Sequence, residues 1–242
     1  MDLKELESGV DPGKHWYYQS KKIPLISYVK KVFSKKNVPL TLIDVGSGSG
    51  FFMYELYEEI PEMISKVFLV DIGYSDEEIT VSQGNVIEKT RSLPAEIENA
   101  VVVMMDVLEH LEDDIGMLKA ISNNSKGENN FFITVPAFMD LWSGHDVYLG
   151  HYRRYTKNTL ALLLKNASYK KDGIYYIYGA IFPLVWMARK MSGKRDVPQS
   201  DMKPVSSFLN ASLKTICSVE MNFRRMNLLG GVTVVAEGRF EK

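Results

Sequence analysis

An aliphatic, β-branched run, Leu40–Val45, passes directly into Gly46-Ser47-Gly48-Ser49-Gly50. A helix-like stripe of Phe51, Phe52, Met53, Leu56, Tyr57 and Ile60 follows and is stopped by Pro61. Glycine lets the backbone turn sharply and approach a ligand closely. A strand that ends in such a loop and opens a helix therefore commits this part of the chain to an α/β domain with a ligand site at the strand's carboxyl end. A dinucleotide fingerprint would need a third glycine where Phe51 stands, counting from Gly46, or where Met53 stands, counting from Gly48. A phosphate loop would need Gly-Lys-Ser/Thr, which does not occur here. What stands is Asp44-x-Gly46-x-Gly48-x-Gly50.

The rest of the chain extends the same pattern. Val67–Val70 reads as a second strand ending at Asp71, and Ala100–Met105 is an apolar run suited to a central parallel strand. Phe131–Val135 is a further buried strand, and Gly173–Tyr178 and Val232–Ala236 supply the last two. A short polar helix is expected near Ser75–Glu78 and a weaker strand at Ile79–Ser82. Asp113-Asp114 opens a helix carrying Ile115, Leu118 and Ile121, and Thr156 caps one carrying Leu160, Leu163 and Leu164. His15–Phe33, aromatic and lysine-rich, reads as one or two helices interrupted at Pro24. Alternating strands and helices imply a mostly parallel sheet covered on both faces.

The bulk composition narrows the class. With 242 residues, 45% apolar and 24% charged, the chain has the make-up of a soluble globular protein with a sizeable core. A net charge of −1 argues against general nucleic-acid binding, and one cysteine excludes an intrachain disulfide and a cysteine-based zinc site. The charged residues 1–7 lack the apolar core of a signal peptide, so a cytoplasmic location is expected.

The Asp-x-Gly-x-Gly-x-Gly run resembles motif I of the class I S-adenosylmethionine (SAM)-dependent methyltransferases. The resemblance implies a Rossmann-like sheet of seven strands, mostly parallel with the last antiparallel, helices on both faces and a helical insert before the last strand. It implies a SAM site formed by Asp44, Gly46, Ser47, Gly48 and Gly50, with Asp44 near the donor's cationic groups. Asp71, followed by Ile72, would take the ribose hydroxyls. Asn85 and Val86 would meet the adenine, an asparagine standing where many relatives carry aspartate. Asp106, in Asp106-Val107-Leu108-Glu109-His110, resembles the acidic residue after the fourth strand. If that segment turns helically, Asp106, Glu109 and His110 share a face. Similar triads hold a divalent metal in ubiquinone-pathway O-methyltransferases and small-RNA 2′-O-methyltransferases, but most relatives with this run need none. The expectation is therefore no metal, with Glu109 and His110 bracing the loop.

The most distinctive block is Trp142-Ser143-Gly144-His145-Asp146, then Gly150-His151-Tyr152-Arg153-Arg154-Tyr155. A histidine beside an aspartate can act as general base to a hydroxyl, so His145 or Asp146 is the expected base, with His151 a lesser candidate. Trp142, Arg153, Arg154 and Tyr155 are expected against the acceptor, the arginines suiting a phosphate or carboxylate or else pairing with acids to hold the loop. The block resembles a bacterial and archaeal branch of the same family, over roughly residues 12 to 240.

Residues 174–195 combine aromatics with Arg189, Lys190, Lys194 and Arg195. The stretch is too short and interrupted to span a bilayer. It suits a lid, a homodimer contact or a membrane surface element. The chain is thus expected to comprise a helical cover (1–38), a SAM-binding core (39–172), a helical insert (173–227) and a closing strand (228–242). The expected activity is O-methylation of a small-molecule, glycan or lipid-linked acceptor. A regulatory SAM-binding module, or transfer to carboxylate or nitrogen, are the alternatives.

Overall fold

The computed structural model describes residues 9–191 and 197–240. The charged residues 1–8, and Lys194 and Arg195 of the basic cluster, lie outside them. The described elements are α1 (Trp16–Lys36), β1 (Leu40–Val45), α2 (Phe51–Glu59), β2 (Ile64–Val70), α3 (Asp76–Ser82), β3 (Ile87–Thr90), β4 (Ile97–Glu98), β5 (Ala100–Met105), α4 (Asp114–Asn124), β6 (Ser125–Lys126) and β7 (Asn130–Pro136). They continue with α5 (Gly144–Leu149), α6 (Lys157–Asn166), β8 (Tyr169–Ile177), α7 (Phe182–Met191), α8 (Ser207–Phe223) and β9 (Thr233–Phe240).

Seven strands form one sheet in the order β3-β2-β1-β5-β7-β9-β8. All run parallel except β9, which is antiparallel to both neighbours. α7 and α8 form the helical insert before it. Strand order reverses between β1 and β5, where Asp44 pairs with Val103, so the carboxyl ends of these strands flank the crevice in which α/β sheets bind ligands. Alternation along β5 sends Val101, Val103 and Met105 to one core and Val102 and Met104 to the other. The first core is covered by Leu25 and Val29 of α1, Leu56 of α2 and Met221 of α8; the second by Leu118 of α4 and Leu160 of α6.

Two local expectations change. Pro24 lies inside the single helix α1 instead of dividing it. The helix buries Pro24 together with Leu25 and Val29 against the first core, and that packing keeps both halves in line despite the missing amide donor. Ile79–Ser82 is helical: Ser75 and Glu78 form a reciprocal capping box, and three acidic residues fill the first turn. The third strand therefore falls after Val86.

Candidate functional site

The glycine loop is shaped by conformations that only glycine adopts without strain. Gly46, Gly48 and Gly50 have φ of 68°, 53° and 74°. A Cβ on Gly46 would lie 2.7 Å from Val107 Cγ2, and one on Gly50 would lie 2.6 Å from Leu69 Cδ1. The loop is pinned from beneath, with Gly46 and Ser47 amides donating to Val70 O at 2.8 and 3.2 Å. The Gly48 amide donates to Asp71 Oδ2 at 2.8 Å, and the Ser47 and Tyr74 hydroxyls lie 2.8 Å apart. Asp44 is buried at the end of β1, and burial, with the nearby charge of Asp71 adding to it, pushes its carboxyl up to about 7. Asp44, Gly46, Ser47, Gly48, Gly50 and Asp71 are thus brought together at one sheet edge, with Ile72 beside them and exposed.

Asn85 and Val86 are not. They precede β3, where Val86 O accepts from Val67 N and Asn85 O from Lys66 Nζ, at the opposite edge of the sheet. What β3 delivers to the ligand edge is Arg91, Ser92 and Leu93. The cause is the helical capping of Ser75–Ser82, which displaces the strand toward the C-terminus and leaves Asn85 and Val86 at its amino end.

Beside the loop, a cavity of about 340 Å³ is lined by Trp16, Tyr18 and Lys21 of α1, Asp106 after β5, Leu149, and Ile181 and Val185 beyond β8. The chain has four histidines, and His15, His110, His145 and His151 all line this cavity. Asp106 has a positive φ of 56° and its carboxylate pairs with the buried Lys21 ammonium and accepts from Thr134 Oγ1 at 3.1 Å. Burial alone would raise its pKa, but the Lys21 charge outweighs this and holds it low. The segment after it makes a single 3-10 turn, Leu108–His110, instead of an α-helix. Asp106 therefore does not join Glu109 and His110 in the expected triad. The donor atoms of Glu109, His110 and His151 lie within 4.8 Å of one another instead.

The 142–155 block departs most from expectation. Consecutive residues on a helix point about 100° apart, so His145 and Asp146 at the start of α5 do not face each other. Asp146 Oδ1 receives His151 Nδ1 at 2.8 Å and Arg154 Nε at 2.7 Å, and Oδ2 receives Arg154 Nη2 at 3.0 Å and the Ser143 amide at 2.9 Å. Burial would raise the Asp146 pKa, but the His151 hydrogen bond and the Arg154 charge hold it far below the carboxylate range. His151 consequently carries its proton on Nδ1. Its Nε2 is buried and makes no hydrogen bond. His145 is the reverse: Nδ1 accepts the Asp201 amide at 3.2 Å, so in the neutral ring the proton sits on Nε2.

Neither arginine is free for an acceptor anion. Arg154 is held by Asp146 and by Ala137 O, while Arg153 reaches Asp114 at 3.1 Å and Glu112 O at 2.8 Å. The Tyr155 hydroxyl is buried 2.7 Å from Asp114 Oδ2, and Trp142 does not line the cavity. These four residues brace the loop, with Tyr152 N donating to Glu109 O at 2.7 Å to clamp it to the 108–110 turn. Sequence reasoning missed Lys21, His15, Tyr17 and Tyr178, whose side chains line the cavity. The available signal was His15 itself, one of four histidines, set in the aromatic run His15-Trp16-Tyr17-Tyr18.

A family model described as a methyltransferase domain matches residues 16–172. The fold is similar to that of the methyltransferase in a complex with the Haloferax volcanii Trm112 methyltransferase activator, at 16% identity over 95% of this chain and 91% of that one, with a TM-score of 0.54. It is also similar to Burkholderia thailandensis 1,6-didemethyltoxoflavin-N1-methyltransferase with bound 1,6-didemethyltoxoflavin and S-adenosylhomocysteine, at 15% identity over 88% and 76% and a TM-score of 0.52. A SAM-dependent methyltransferase from Archaeoglobus fulgidus matches at 15% identity over 89% and 92%, with a TM-score of 0.51. No curated protein matches the chain by sequence.

Proposed function

Because this chain belongs to the class I SAM-dependent methyltransferase family, with SAM as its methyl donor, we propose that it methylates a hydroxyl on an apolar acceptor seated in the cavity beside the glycine loop. The glycine cradle and the buried Asp44 carboxyl fit the donor, since a bound ammonium would restore the charge that burial suppresses. SAM, when bound, supplies a methyl carbon activated by its sulfonium. The residues of this chain then have two tasks, to hold the acceptor oxygen in line and to activate it.

The observation that carries the reading is the Asp146–His151 pair. The carboxylate fixes the imidazole tautomer, and the ring stands in the wall of a largely apolar cavity with Nε2 buried and without a hydrogen bond, so that an acceptor hydroxyl bound beside it would be its partner. The base assignment thus moves from His145 to His151. Transfer to a carboxylate loses its support, because Arg153 and Arg154 are committed within the loop. A lone pair prepared in this way argues against a purely regulatory SAM-binding module.

An apolar or lipid-linked acceptor also suits the insert. Tyr175, Tyr176 and Tyr178 are buried in the sheet and its edge, so they leave the proposed surface element. The outer side of α7, however, exposes Leu184, Trp186, Met187 and Met191, with Lys190 Nζ 5.7 Å from the Trp186 ring centroid. No helix among the described residues is long and apolar enough to cross a membrane, so the contact would be interfacial. A second copy of the chain would cover the same side chains, and sedimentation with anionic vesicles against sizing chromatography separates the two.

The decisive assay is S-adenosylhomocysteine formation by the full chain with simple phenols, prenylated phenols and polyprenyl-linked sugars. A hydroxyl acceptor should be methylated, and His151→Ala should lower kcat about 100-fold or more while SAM affinity stays within about twofold. Turnover restricted to amines, or a fully active His151→Ala, would overturn the reading.

A further inference from the structure

We propose that Lys21 is a second catalytic residue, whose ammonium donates a hydrogen bond to the acceptor oxygen and stabilises the negative charge that develops there. The inference rests on the reading above and leaves His151 its role as base.

A fully buried lysine is rare unless its charge is paired. Lys21 is 1% exposed and lines the acceptor cavity. It follows Tyr17 by one turn of α1, so the two side chains share a face. The ammonium pairs with Asp106 Oδ2 and donates to the Tyr17 hydroxyl at 2.7 Å. An ammonium has three N–H donors, and the third of Lys21 has no acceptor among the described residues. Buried donors are seldom left in that state. Stability alone does not account for the pair, since apolar residues of similar volume often serve a fold equally well.

The mount of Lys21 is held from several sides. Asp106 Oδ1 accepts from Thr134 Oγ1, which leaves Oδ2 to Lys21. Asp106 keeps this place at a positive φ, a conformation uncommon outside glycine. α1 is itself tied to the end of β8, where the Tyr178 hydroxyl donates to Tyr17 O at 3.0 Å. Asp106 lies within electrostatic reach of both Lys21 and His151, so the two groups belong to one corner of the cavity.

That corner stays close to neutral. Lys21 is balanced by Asp106 and Arg154 by Asp146. Burial, reinforced by the Asp106 charge, pushes the Glu109 carboxyl well above the usual carboxylate range, so it adds no charge. A cationic methyl donor therefore meets no net positive wall.

The division of labour follows from the hydroxyl itself. Its proton passes to His151 Nε2, and its oxygen accepts a hydrogen bond from Lys21 while forming the new bond to the methyl carbon. The electron pair of the broken carbon–sulfur bond stays on sulfur, which becomes neutral. Lys21 keeps its own protons throughout. It accelerates the step because the oxygen carries more negative charge in the transition state than in the bound hydroxyl.

4-Nitrophenol, whose colour reports its ionisation, probes this role without turnover. Bound to the full chain with S-adenosylhomocysteine, it should ionise at lower pH than in water, and Lys21→Met should raise that pH by about one unit or more. In turnover, Lys21→Met should lower kcat about 100-fold for weakly acidic phenols and progressively less for more acidic ones. Lys21→Met leaves Asp106 without its partner, so Lys21→Met/Asp106→Asn, which removes both charges, is measured beside it and should show the same losses. S-adenosylhomocysteine affinity reports that each variant is folded. Failure of nitrophenol to bind, ionisation unchanged in both variants, or a kcat loss equal for every phenol overturns the role of Lys21. If that happens and His151→Ala is inactive toward hydroxyls, the hydroxyl-acceptor reading stands alone. If nitrophenol ionisation depends on Lys21 and only amines are methylated, that reading fails while the anion-stabilising site stands.

Discussion

The two sides of the ligand crevice are stabilised in opposite ways. At the glycine loop nearly every polar group finds a near neighbour: Gly48 N meets Asp71, and Tyr74 meets Ser47 and the Gly48 carbonyl. In the adjoining cavity the pairs are between charged side chains, as Lys21 with Asp106 and Arg154 with Asp146, and the buried side-chain polar atoms left without hydrogen bonds among the described residues belong to His15, Glu109 and His151, all cavity-lining. The donor side is a preformed backbone cradle. The cavity holds unsatisfied groups in place by ion pairs behind them, an arrangement that costs stability and keeps lone pairs available.

That contrast can be broken first at Asp146. Asp146→Ala leaves Arg154 and His151 without their buried partner and should destabilise the fold by about 3–5 kcal/mol in urea denaturation. A loss under 1 kcal/mol would mean that the ion pairs do not support the cavity. On the donor side, Gly46→Ala forces a Cβ against Val107 at a positive φ, and strain of about 2 kcal/mol or more should appear as a 30-fold or greater loss of S-adenosylhomocysteine affinity.

The third test uses pH. With a folded pKa of about 7, above the usual carboxylate range, Asp44 binds its proton more tightly folded than unfolded. Its contribution to the stability of the ligand-free protein is therefore present at acid pH and lost as pH rises toward 7, while affinity for a cationic donor rises through the same value. S-adenosylhomocysteine affinity should increase several-fold, up to about tenfold, between pH 6 and 8, and Asp44→Asn should flatten the profile. The smallest effects sharpen the distinction between adjacent residues. Arg153→Ala breaks a partly exposed pair and should cost about 0.5 kcal/mol, far less than Arg154→Ala. Asn85→Ala should leave S-adenosylhomocysteine affinity unchanged, and a marked loss would return the adenine to that end of β3.

Legibility followed the same division. Leu40–Val45 and Ala100–Met105 were readable to the residue because β-branched runs bounded by turn formers are local signals. At Ile79–Ser82 the capping box of Ser75 and Glu78 outweighs the β propensity of Ile-Thr-Val, so the strand begins after Val86 and Asn85 stands before it. His145-Asp146 and Arg153-Arg154 look like functional pairs in one dimension. On the folded chain neighbouring side chains diverge, and each residue takes a different partner.

The sequence by itself determined the strand–glycine loop–helix unit and a mostly parallel α/β sheet, because these rest on steric rules and hydrophobic periods acting over a few residues, while the seven-stranded order and the donor followed from the resemblance of its glycine run to a known family. Only the tertiary structure decided the cavity beside that loop. It gave Asp106 to Lys21 and Asp146 to Arg154, and it brought His151 to Glu109 and His110. Which charges neutralise one another, and which lone pairs remain, depends on how the loop after β7 folds back to join Arg154 to Asp146 and on distances between segments forty or more residues apart, as Lys21 from Asp106 and His151 from Glu109, and no local rule sets those.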